Sequence, residues 1–96
     1  MMSIKWSEQA KRGWNEVASY ILQDFGLGGL KLFKQRTKES ESYISKFPNG
    51  CEILWTDPET EIVYRKCAIY GRSIMLYFVY DNTIIIADFW DVRSHH

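Results

Sequence analysis

The sequence predicts an α+β domain: an N-terminal strand, then an antiparallel two-helix hairpin packed on a twisted, mainly antiparallel sheet of about four strands. Three observations carry this expectation. Apolar residues recur every three or four positions through the first half of the chain; the second half breaks into short runs rich in β-branched and aromatic residues; and the turn formers between those runs sit at hairpin spacing.

Residues 3–6, SIKW, alternate as a short strand does, and Ser7 ends the run by offering an N-cap hydroxyl, with acidic Glu8 favourable in the first helical turn. From there Ala10, Trp14, Val17, Ile21 and Phe25 form one helical stripe, which Gly26 ends as a C-cap. After an LGG linker, Leu30, Phe33, Thr37, Ser40, Ile44 and Phe47 resume the pattern, so a second helix is expected over residues 29–46. The FPNG turn closes the hairpin. Residues 51–61, CEILWTDPETE, contain Pro58 among other turn formers and read as a loop with at most a short strand at CEILW. The runs IVYRKCAIY (62–70), IMLYFVY (74–80) and TIIIADFW (83–90) are split by GRS and DN, which predicts a three-stranded antiparallel meander. The middle run is apolar or aromatic throughout, as a central strand covered on both faces would be. The helical hairpin then covers one face, and the N-terminal strand extends the sheet.

At 96 residues the chain accommodates a single domain over 1–96, and 46% hydrophobic with 16% aromatic residues is enough for a packed core, which excludes disorder and coiled coil. Twelve Lys plus Arg balance twelve Asp plus Glu, so no long-range field draws the chain onto nucleic acid or an anionic membrane. No apolar stretch approaches the ~20 residues of a membrane span, and the start lacks the apolar core of a secretion signal, so a cytoplasmic location is expected. Cys51 and Cys67 form no CxxC and have no nearby His cluster, which favours ordinary thiols over a disulfide framework or a metal site. A Gly-rich phosphate loop, HExxH and a nucleophile elbow are all absent, so neither a cofactor nor a metal is expected.

The polar residues among the strands are the remaining candidates. Arg65 shares a strand face with Val63, Cys67 and Ile69 by alternation, and a guanidinium there requires a carboxylate such as Asp88 or a phosphate-bearing ligand. Arg93 is placed to grip a phosphate bidentately or to pair with Asp91. His95 and His96 read either as a general acid or base near neutral pH or as the remnant of a purification tag. The many aromatics suit packing between helices and sheet better than base stacking, given the zero net charge. Trp55, Tyr70, Arg72 and Asp91 are the candidate partner-binding residues, since exposed aromatics and Arg are typical interface anchors.

The opening IKWSEQAKRGWNEVASYI, the turn FPNG, the Tyr64–Arg65 pair, LYFVY and the ending TIIIADFWDVRS together resemble the RelE/ParE superfamily, the toxins of bacterial type II toxin–antitoxin modules. Each motif is weak alone; their order and spacing across nearly the whole chain carry the resemblance. It implies a small cytoplasmic toxin that inhibits growth, linked to plasmid stabilization and neutralised by a cognate antitoxin protein. The RelE-like branch is an enzyme, an mRNA endoribonuclease working in the ribosome, and on that branch Arg65, Arg93 and His95 would be catalytic. Two further basic positions of that site fall on Cys67 and Ile74, which cannot hold a phosphate. The ParE-like branch inhibits DNA gyrase without catalysis, and the expected long helical hairpin and zero net charge fit it slightly better. A non-toxic protein-binding relative is the remaining alternative.

Overall fold

The computed structural model describes residues 1–93, so His95 and His96 lie outside the described residues. The elements are β1 (Ser3–Trp6), a helical segment α1 (Glu8–Lys46), β2 (Glu52–Thr56), β3 (Val63–Ala68), β4 (Ser73–Tyr80) and β5 (Thr83–Asp91). Ser7 begins the helix as expected: its Oγ accepts from the Ala10 N–H at 3.0 Å, a cap that contributes about 1 kcal/mol. The same residue anchors the helix to the sheet, because its N–H donates to Ile86 O and its hydroxyl to Ala87 O.

The two expected helices are one helical segment broken at a single residue. Gly26 has φ 72° and ψ −166°, a conformation that residues with a Cβ rarely adopt, while Leu27, Gly28 and Gly29 are themselves helical rather than a linker. The arms 8–25 and 27–46 double back on one another. Trp14 stacks on Phe33 with ring centroids 5.0 Å apart, and its indole N–H donates to Thr37 Oγ1 at 3.0 Å. Glu41 in the second arm accepts from the Trp6 indole at 3.0 Å.

The sheet has five strands in the order β1-β5-β4-β3-β2, rather than about four. β1 runs parallel to β5 and every other neighbouring pair is antiparallel, which makes the sheet mixed. The CEILW stretch forms a full edge strand because Pro58 and the other turn formers all follow it. The turn after β2 is closed by Glu61 N–H to Asp57 O and by Asp57 N–H to Ile62 O. An irregularity between Ile53 and Trp55 makes Leu54 a bulge, a feature that discourages further strands from pairing along an edge.

One sheet face packs under α1. There Met75, Tyr77, Ile84 and Ile86 meet Ala10, Phe33 and Ile44, all fully buried. A second bulge, opposite Leu76 and Tyr77, lets Asp88 and Phe89 both be buried although they are neighbours in sequence. The other face has no helix over it among the described residues, contrary to the expectation for β4. Tyr64, Ile74, Leu76, Phe78, Ile85 and Trp90 are only half-buried there, and the aromatic rings shelter one another sideways rather than under a second layer.

Cys51 and Cys67 are joined in a disulfide with Cα atoms 5.7 Å apart, which corrects the expectation of ordinary thiols. The register explains it: Glu52 pairs with Lys66, so the next step outward sets Cys51 opposite Cys67. With residues 51–61 taken as a loop, that pairing was invisible.

α1 crosses β5 at Gly13, where an added Cβ would fall 2.4 Å from Phe89 O and 2.5 Å from Asp88 Oδ1. One obstacle is backbone, so it cannot swing aside. Gly13→Ala is expected to destabilise the fold by about 1–3 kcal/mol through forced separation of helix and sheet, read as a lower midpoint in denaturant titration with an unchanged slope.

Candidate functional site

Arg65 lies on β3 opposite Tyr77 of β4. Its Nη1 donates to Cys51 O at 2.8 Å and to Asn49 O at 3.2 Å. The turn that closes the helical segment is thereby fastened to the sheet, and Tyr77 reinforces it by donating its hydroxyl to Pro48 O at 2.8 Å. Burial raises the Tyr77 pKa, so the hydroxyl stays a donor through neutral pH. The expected pairing of Arg65 with Asp88 does not occur. β4 separates their strands, and Asp88 is instead taken up by the Gln9 side chain and the Phe89 N–H. A pocket of ≈480 Å³ opens beside Arg65, between the Thr60–Val63 stretch and the Val79–Asp81 end of β4.

Arg93 grips Asp91 as a fork, with Nη2 to Oδ2 at 2.7 Å and Nε to Oδ1 at 3.1 Å, while its own N–H donates to Oδ1 at 2.8 Å. The same Nη2 reaches Asp24 Oδ2 at 3.2 Å near the end of the first helical arm. The D-x-R ending is thus a clasp between the last strand and the helix. The Arg93 fork lowers the Asp91 pKa against an opposing effect of burial, and the paired carboxylates raise the Arg93 pKa. Arg65 and Arg93 border different pockets and do not converge on a common point.

Tyr70, Arg72, Asp91 and Arg93 do come together, around a pocket of ≈180 Å³ that Phe25 and Ile21 complete. Tyr70 meets Phe25 edge-on at 5.7 Å, and the Arg36 guanidinium lies 5.6 Å from its ring centroid. Arg72 is exposed, whereas Asp91 is 5% exposed and already committed to Arg93. Trp55 lies elsewhere, 53% exposed on the edge strand. It stacks on Tyr64 at 5.6 Å, and Tyr64 meets Phe78 at 5.1 Å, so an aromatic row crosses the helix-free face.

Sequence reasoning did not single out Tyr64 and Phe78 as surface residues, nor Ile53 and Leu54, which are 53% and 41% exposed beside Trp55. Only the absence of a second covering layer distinguishes them from core. Asp24 was also missed, because its partner Arg93 is 69 positions away.

No protein-family model and no curated protein matches the sequence. Among solved structures, a chain of the chromosomal ParDE TA system from P. aeruginosa superposes with a TM-score of 0.74 over 96% of this chain and 97% of that one, at 18% identity. The conserved hypothetical protein HP0894 from Helicobacter pylori matches with a TM-score of 0.45 at 13% identity, covering 97% of each chain.

Because the Asp91 pKa is lower in the fold than in the unfolded chain, its ionisation adds stability above the ordinary carboxylate value of 3.8, and that share is lost as pH falls through the lowered value. Asp91→Asn is expected to lower stability at neutral pH and to flatten the acid limb of the stability curve below about pH 4, measured by denaturant midpoints across pH. An unchanged acid limb would show that the clasp does not couple to folding. The chain shares the α+β fold of that ParDE chain, built as a broken helical segment on one face of a mixed five-stranded sheet.

Proposed function

We propose that this protein is the toxin half of a toxin–antitoxin pair, that it inhibits growth by ParE-like binding to DNA gyrase, and that a cognate antitoxin protein neutralises it in the cytoplasm. The fold shared with the ParDE chain supports the first part. No helix among the described residues is long and apolar enough to cross a membrane, which accords with a protein-targeted role away from the bilayer.

The observation that favours binding over RNA cleavage is the fate of the two arginines. An mRNA endoribonuclease needs cationic groups converging on one phosphate. Here Arg65 is spent on two backbone carbonyls and Arg93 on two carboxylates, in separate places. The helix-free face offers Trp55, Tyr64, Phe78, Leu76 and Ile85, a composition suited to a protein surface rather than to a polyanion. Trp55, and separately the Tyr70–Arg72–Asp91 corner, are the proposed contact points with protein partners.

Controlled induction in bacteria, with plasmid topology and messenger RNA sampled from one culture, tests this directly. Growth arrest with relaxed plasmid and intact messages is expected, and arrest should persist in an Arg65→Gln variant that remains folded. Messages cut at ribosomes, with cleavage falling by orders of magnitude in Arg65→Gln, would instead establish the nuclease. Growth without arrest, in cells lacking the antitoxin, would leave a non-toxic protein-binding relative as the better account.

A further inference from the structure

The Cys51–Cys67 bridge ties the chain to β3 one residue before the edge strand β2 begins, next to its first pair Glu52–Lys66. β2 lies at the sheet margin, every one of its residues is exposed, and its pairing is interrupted at Leu54. Apart from the ladder, β2 is held by the Trp55–Tyr64 stack and by a loose Glu52–Lys66 ion pair at 3.9 Å. The bridge is therefore the strongest single tie on the strand.

Its sulfurs are not equivalent. Cys67 is 7% exposed within the core, whereas Cys51 is only partly buried. Both line an open depression of ≈480 Å³ between the second helical arm and β3, bordered by Arg36 and Glu39, while the Lys66 ammonium is paired with Glu52. A thiolate entering this depression meets Cys51 as the less buried residue of the pair. Thiol–disulfide exchange depends on such access.

We propose that the Cys51–Cys67 bridge is a redox-modification site, open to low-molecular-weight thiols, whose reduction releases the β2 edge strand. A thiolate attacks Cys51 Sγ and the S–S bond breaks, with the electron pair leaving on Cys67 Sγ, which takes up a proton. A second thiolate attacks the small-thiol sulfur of the mixed disulfide, and the electron pair leaves on Cys51 Sγ, which is protonated in turn. Two thiols are oxidised to their disulfide and the protein disulfide is reduced to two thiols. β4 and β5 keep their pairing and their buried contacts throughout, so the change is confined to the edge.

Hydrogen exchange on the full chain, read with thiol counting by mass spectrometry, tests this. Aerobically purified protein should contain no free thiol. Reduction should speed exchange of the amides at 52–56 about tenfold while the amides of β4 and β5 hold their protection. Cys51→Ser/Cys67→Ser should exchange like the reduced protein in any redox buffer; if that variant fails to fold, the wild-type comparison before and after reduction decides alone. Free thiols in oxidised, folded protein, or equal exchange at 52–56 in both redox states, would overturn the proposal.

Discussion

Where α1 crosses β5, the backbone of Gly13 approaches Phe89 O and Asp88 Oδ1 so closely that no side chain fits between them. That approach sets the spacing of the two layers, and much else follows from it. Ser7 can hydrogen-bond to Ile86 and Ala87 only if the helix starts this close to the sheet. The rings of Phe33, Phe89 and Trp6 fill the space beyond, with Phe89 4.9 Å from Trp6 and 6.5 Å from Phe33. A close-packed interior tolerates little change in such a distance. β5 is therefore the axis of the molecule, with β1 parallel on one side, β4 antiparallel on the other and the first helical arm above.

Arg65 on β3 and Arg93 just after β5 both help to close the fold. Arg65 ties the 47–51 turn down, and Arg93 ties the end of β5 to the first helical arm. A guanidinium is well suited to such tasks because its planar fork satisfies two acceptors at once. Each arginine so employed is withdrawn from the converging set that phosphodiester cleavage requires. Open to solvent, among others, are an aromatic and aliphatic sheet face and a sparsely held edge strand.

That edge has an unusual construction. Three large apolar residues, Ile53, Leu54 and Trp55, stand exposed in succession on β2, where a bulge and a covalent link replace the neighbouring strand that an interior position would have. The link and the Arg65 hydrogen bond meet at the same residue, Cys51, so the turn after the helical segment and the start of the edge strand are held at one point.

The α+β class, the capped helix start at Ser7, the break at Gly26 and the three strands of the meander were all legible from residue order, because periodicity, capping and turn chemistry act over a few neighbouring positions. The edge position and pairing of the CEILW strand, the Cys51–Cys67 bridge, the partners of Arg65 and Asp88, and the Asp24–Arg93 contact were not. Each depends on which residue stands opposite across strands or layers, and a register is set by the whole sheet and its two bulges rather than by local pattern. The uncovered face was misread for the same reason. An apolar strand shows the same composition whether a second layer lies over it or only its neighbours shelter it, and only the tertiary structure decides which.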